Sequence, residues 1–423
     1  MPVFRLRIAV AMLLVAVGWR AHAAPLSLDD ALRLAEQRSA QLPAEDAAAD
    51  AARQSAVAAG QRPDPVLKAG VSNVPLSGSE RFSLSRDGMT MRQIGLMQEW
   101  TRSEKLQARS ARFEREADAA QARRTLALAN LQRDTAVAWL DRYYQERALA
   151  LLLTQRDEAQ LLVDAAEASY RGGRGAQADA FAARSGVALA EDRIAQVQRQ
   201  VATATTQLAR WIGSEATQPL GVAPNINAVP LDAQTLQSTL SHYPQIELAS
   251  RQEDIARAEV EIARTAKRAD WSSELMYGRR GSGYSDMVSF TVSIPLQWDQ
   301  AHRQDRELAA KIAQAEQAGY QREDLEREYA ATVRATLQEW QGERERVQRY
   351  EDRLVPLAEQ RKLAALTAYR GGSGTLSSVL DARRAYIDTR MSQLQLAMNA
   401  ARLWAQLNFL IPVRRDAAAA VQP

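Results

Sequence analysis

The string Tyr170-Arg171-Gly172-Gly173-Arg174-Gly175 returns as Tyr369-Arg370-Gly371-Gly372-Ser373-Gly374. Laid over each other at an offset of about 199 residues, the two stretches keep agreeing. Arg184 falls on Arg383, Val197 on Leu396, Leu208 on Leu407 and Ile212 on Ile411. A unit this long lies outside the solenoid range and describes a duplicated half-molecule. Each copy encodes a turn followed by a helix. The glycines supply positions of positive φ where the chain can reverse. The helices carry the same seam in the same register: Ile194, Val197, Val201, Ala204, Leu208 and Trp211, then Leu396, Ala400, Leu403, Leu407 and Leu410. Steps of three and four are a coiled-coil stripe.

Long helices lead into both turns. From about Arg102 to Tyr170 there is neither proline nor glycine. A helix of roughly 69 residues is about 100 Å long. Val137, Leu140, Tyr144, Ala148 and Leu151 form its seam. The second copy predicts a helix of similar length from Asp299 to Tyr369, kinked at Pro356. No compact domain contains such elements, so part of the molecule is a rod.

Composition narrows the class. Arg5, Arg7 and Arg20 lie in a leader with no acidic residue. Without them the 54 basic residues fall to the number of acidic ones, 51. That balance, with no basic block, argues against nucleic acid as a partner. The leader reads as a secretory signal over residues 1–23: Arg5 and Arg7, an apolar run from Ile8 to Val17, then Ala21-His22-Ala23 as an A-x-A site. The chain has no cysteine, which excludes disulfides, thiol catalysis and an N-terminal lipid anchor. No other stretch is apolar enough for a spanning helix, so entry into a membrane requires a β-barrel.

In chain order, the first repeat (24–212) opens with a helix over Leu28–Gln41, capped by Ser27 and broken by Pro43. A second follows over Ala44–Gln61 and stops at Pro63-Asp64-Pro65. The period then becomes two, and strands are expected at about 66–75 and 90–100. Residues 213–230, with three prolines, read as a linker between the halves. The second repeat (231–411) runs a short helix to Tyr243, breaks at Pro244 and continues helical to Arg268. Strands follow at about 271–277 and 287–297. In the last of these Val288, Phe290, Val292, Ile294 and Leu296 alternate with Ser289, Thr291, Ser293 and Pro295. One apolar face against one small polar face suits a wall between lipid and water. Residues 412–423 read as a disordered tail. The fold class is mainly α with a small β part.

The duplicated order of helix, hairpin, long helix, glycine turn and helix resembles the TolC-type outer-membrane efflux proteins. So do Tyr369 through Ala382, the strand ending Ser293-Ile294-Pro295-Leu296, and the Pro-Asp-Pro before the first strand. The resemblance covers nearly the whole chain after the leader. It implies a homotrimer whose protomers each give four strands to one barrel in the outer-membrane lipid, above a periplasmic helical tunnel. It also implies a periplasmic adaptor protein and an inner-membrane pump as partners.

The resemblance further assigns sites. Asp179 and Asp381 would stand near the periplasmic aperture, where Ser378 and Gly374 depart from the family's pattern. Gly172, Gly173, Gly175, Gly371, Gly372 and Gly374 would form the turns that meet the adaptor. Each has a plainer reading, as an acid in a helix's first turns or a turn that merely needs glycine. Met89, Met91, Met97, Met276 and Met287 cluster near the strands, where thioethers either ligate soft ions or fill apolar space. No catalytic set, phosphate loop, metal motif or cofactor signature is present. Met89 through Glu99 looks most like the heavy-metal branch, with a pump of the RND type. A duct for drugs or secreted polypeptides, and a soluble coiled-coil scaffold without a barrel, are the alternatives.

Overall fold

The computed structural model describes residues 25–230, 240–281 and 283–413. The expected signal segment and most of the expected tail lie outside the described residues.

Ser27 caps α1 (Leu28–Arg38), its hydroxyl accepting from the Asp30 N–H at 3.1 Å. The chain then breaks at Ser39 and Ala40, earlier than expected. Pro43 sits inside the first turn of α2 (Gln41–Ala59), where its missing N–H breaks no helical bond. Pro244 does the same at the start of α5 (Pro244–Ala266). α3 runs unbroken over Ser103–Arg171, 69 residues, and α4 over Gln177–Ile212. In the second copy α6 (Gln304–Arg349) passes into α7 (Val355–Arg370) through one π turn at Tyr350–Leu354. Pro356 explains the π turn: its ring cannot sit against the carbonyl four residues back, so the ladder widens just before it. α8 (Leu376–Asn408) completes the copy.

The strands β1 (Val66–Ser72), β2 (Met91–Trp100), β3 (Trp271–Arg279) and β4 (Met287–Ser293) form one antiparallel sheet in sequence order. The two hairpins, one per copy, join through β2 and β3. β1 and β4 are its edges. β4 ends at Ser293, so Ile294 and Leu296 follow the strand outside the paired ladder.

A joint fastens the sheet to the helices. Lys105 Nζ lies 2.6 Å from Asp270 Oδ2, both side chains largely covered, and the Arg102 N–H donates to Asp270 Oδ1 at 3.1 Å. Further along, Arg322 of α6 hydrogen-bonds Glu253 of α5 at 2.8 Å and holds that carboxyl below its usual range, outweighing the cost of burial.

The main core lies mid-rod. Trp139 and Leu140 of α3, Leu208 and Ile212 of α4, Tyr243, Ile246, Trp340 and Leu407 pack in one cluster. The stretch expected to be a linker is built into it. Leu26 and Leu220 form a parallel bridge, Ala216 is fully buried, and Trp404 Nε1 donates to the Ala228 carbonyl at 2.9 Å. Toward the glycine turns only thin seams remain: Ala148, Leu152, Ile194 and Val197, then Val163, Ala166, Ala180, Ala183 and Leu376.

Candidate functional site

The two glycine turns are the same structure built twice. In the first, the N–H groups of Gly172, Gly173, Arg174 and Gly175 donate to the carbonyls of Ala168, Tyr170, Ser169 and Ser169. In the second, Gly371, Gly372, Ser373 and Gly374 donate to Thr367, Tyr369, Ala368 and Ala368. Each pattern satisfies the orphan carbonyls at a helix end. The three glycines of each turn differ in role. Only Gly173 (φ 68°) and Gly372 (φ 77°) occupy the left-handed region. Gly175 and Gly374 are needed for close approach: a Cβ would stand 3.0 Å from Ser169 Cβ in one and 3.1 Å from Ala368 Cβ in the other. Gly172 and Gly371, at φ −81° and −79°, meet neither demand, which corrects the expectation that all three supply positive φ.

The helices after the turns are not equivalent. Thr375 caps α8 through its hydroxyl, whereas Ala176 at the matching position of α4 has nothing to offer. The acids are offset too. Asp179 aligns with Ser378 and Ala182 with Asp381, so each copy carries one carboxylate, one helical turn apart. Asp179 is half-buried in the first turn of α4; Asp381 is exposed, on the wall of a cleft among α3, α4 and α8. Neither side chain has a hydrogen-bond or ion-pair partner among the described residues, and one protomer does not bring them together. The arginines around them are engaged. Arg184 pairs with Glu167 of α3 at 2.6 Å, and its repeat mate Arg383 bonds both the carboxylate and, at 2.9 Å, the carbonyl of Glu158. Arg193 pairs with Asp388 across the copies at 2.9 Å. The Arg383 and Arg193 ties fix the two copies against each other near the tip, and sequence spacing gave no signal for them.

The sheet has two unlike faces. Register places Leu67, Leu96, Leu275 and Phe290 in one row and Ala69, Ile94, Tyr277 and Val288 in the next. Val288, Phe290 and Val292 are well exposed, at 70%, 68% and 47%. Trp100 stacks on Trp271 at 5.3 Å at one end of this apolar band, and Arg92 faces Arg279 at the other. From Arg92 to Trp100 a tilted strand climbs about 20 Å, close to the apolar height of an outer-membrane barrel. Gln98, which interrupts the pattern in sequence, turns its amide back to the Pro63 and Glu99 carbonyls at 2.8 Å. The other face is polar: Ser289, Thr291 and Ser293, with Lys68 reaching 2.5 Å to Glu274 over Gly95. Gly95 is required there, since a Cβ would come within 2.6 Å of the Leu275 carbonyl oxygen.

A family model described as outer membrane efflux protein matches residues 235–411, the second copy. Over this copy the chain matches the TolC-type outer-membrane efflux proteins. Its fold is theirs along nearly its whole length. The outer-membrane channel OprN superposes with a TM-score of 0.76 at 17% identity, covering 91% of this chain and 90% of that one. VceC from Vibrio cholerae gives 0.71 at 19%, covering 90% and 95%. CusC gives 0.72 at 18%, covering 94% and 95%. No curated protein sequence matches the chain. The efflux-protein fold accounts for the helical tunnel wall, the small sheet and the duplication together, and the family is not one of enzymes.

Proposed function

We propose that the protein is the passive exit duct of a tripartite efflux pump in the outer membrane of a Gram-negative bacterium. Residues 1–23 export the chain, and the two repeats follow on either side of the 213–230 connection. Three protomers pool their strands into one barrel. Their helices form the periplasmic tunnel, and the glycine turns meet a periplasmic adaptor that couples the duct to an inner-membrane pump of the RND type.

The observation that carries this reading is the sheet: four strands, open at β1 and β4, with a full apolar face exposed to the outside. An exposed edge beside an exposed apolar face aggregates in water, whereas closing a barrel in lipid satisfies both. A solvated scaffold has no use for either. Among the described residues no helix is long and apolar enough to cross a membrane.

The cargo we assign is heavy-metal cations, on the resemblance of Met89 through Glu99 to that branch. Energy comes from the pump, since the chain carries no nucleotide motif. The test is a deletion strain scored for tolerance to copper, silver, zinc and cobalt salts and to a panel of hydrophobic drugs. Loss of metal tolerance alone, restored by the gene, is the expected result. Loss of drug tolerance alone sinks the cargo assignment in favour of a drug duct.

A further inference from the structure

Four of the five strand-associated methionines stand on one face of the sheet, and it is the polar one. Met97 is the ladder partner of Glu274, Met276 of Gly95 and Ser289, Met287 of Gly278, and Met91 of Ser72. None shares the outward row of Leu96, Leu275 and Phe290. Three of them neighbour Gly278 in the ladder. Met287 lies opposite it, Met276 precedes it by two residues on the same face, and Met91 Sδ is 3.5 Å from where its Cβ would stand. Gly278 is buried, and Gln93 Cγ lies beside Met91 at 3.6 Å from the same Cβ position.

Methionine ordinarily fills apolar space. The face in question carries Ser, Thr, Gln, Lys and Glu, and in a closed barrel it faces water. Met91 and Met276 remain partly exposed and Met287 is 47% exposed. Flexible thioethers grouped on a wet wall are poor packing and good soft-ion chemistry: thioether sulfur selects monovalent copper and its analogues over hard ions. We propose that Met91, Met276 and Met287 form a thioether site for a soft monovalent cation, Cu(I) or Ag(I), on the lumen wall near the outer mouth, one per protomer. The proposal rests on the duct reading and narrows its cargo to the softest metals.

The probe is Ag(I), titrated into the purified full-length protein in detergent, with bound metal counted after desalting. Wild type should retain about one equivalent per protomer, with at least tenfold weaker binding in a Met91→Leu, Met276→Leu, Met287→Leu triple variant, since leucine keeps the volume and removes the sulfur. A Met391→Leu, Met398→Leu variant, changed in α8 far from the sheet, should bind as wild type does. Equal retention by the triple variant overturns the site, as does equal loss in the α8 control. X-ray absorption of the wild-type Ag(I) complex gives a reading independent of variant folding: a sulfur shell supports the site, and a shell of only oxygen or nitrogen overturns it. Pore formation by wild type in a planar bilayer separates the two claims. A conducting pore that retains no Ag(I) sinks the site and leaves the duct standing; a protein that forms no pore sinks both.

Discussion

At the scale of single residues, chemistry was legible where a side chain acts alone and hidden where geometry assigns the part. The glycine triplets marked both turns in the sequence, yet only the hydrogen-bond closure reveals that Gly173 and Gly372 alone take positive φ. Gly173→Ala and Gly372→Ala should each cost about 1–2 kcal/mol, the penalty of a left-handed backbone with a Cβ. Gly172→Ala and Gly371→Ala should be neutral or slightly stabilising, because their φ suits any residue and alanine narrows the unfolded ensemble. Chemical unfolding of the four variants checks this, and equal losses at all four positions would contradict the assignment. If the turns dock an adaptor, Gly173→Asp should abolish export beyond what its lost stability explains. Asp381 is a second residue-scale case. It is exposed and unpartnered in the protomer, so threefold symmetry would leave three carboxylates free to meet at an aperture. Such a ring attracts cations. Asp381→Asn should weaken cation preference and block by multivalent cations in single-channel recordings, while unchanged selectivity would return Asp381 to an ordinary solvated position.

At the scale of elements, periodicity carried most of the information. The seam of α3 and the period-two pattern of β4 were both visible because each element buries or exposes one face along its length. What escaped was set by partners distant in sequence. The 213–230 stretch reads as a linker by its prolines, yet its backbone pairs with Leu26 and its apolar residues finish the mid-rod core. Arg383 bonding Glu158 ties α8 to α3 of the other copy, a contact no local pattern encodes. The π turn was half legible: Pro356 announced an irregularity, and the ladder absorbed it by widening instead of breaking. β4 offers the sharpest element-scale test. Phe290→Arg should cost about 2–4 kcal/mol near the midplane and cut barrel assembly, because it sets a cation in hydrocarbon. Thr291→Arg, on the opposite face beside Glu274, should assemble normally. Equal yields of folded protein from both variants would mean that the faces are misassigned.

At the scale of the whole molecule, the two halves of the structure make one demand. The helical half packs its seams internally at only thin clusters toward the tip, and α7 leaves Leu357 and Leu363 exposed at 60% and 52%. The strand half stops with two unpaired edges and an apolar wall. Four strands cannot close on themselves, since even the smallest outer-membrane barrels need about eight. Adding copies of the same chain by rotation pairs β4 of one with β1 of the next, and the ring closes only when every edge is consumed. With three copies to the ring, as the family resemblance implies, the protein should migrate as a heat-labile trimer on a detergent gel of outer-membrane fractions and as a monomer after boiling. A substitution that disrupts β4 pairing from the lumen face, Ser289→Pro in the middle of the strand, should leave monomer even in unheated samples. A soluble periplasmic monomer in the wild type would show that the open edges are covered by something other than a second copy of this chain, and the duct would fall with the trimer.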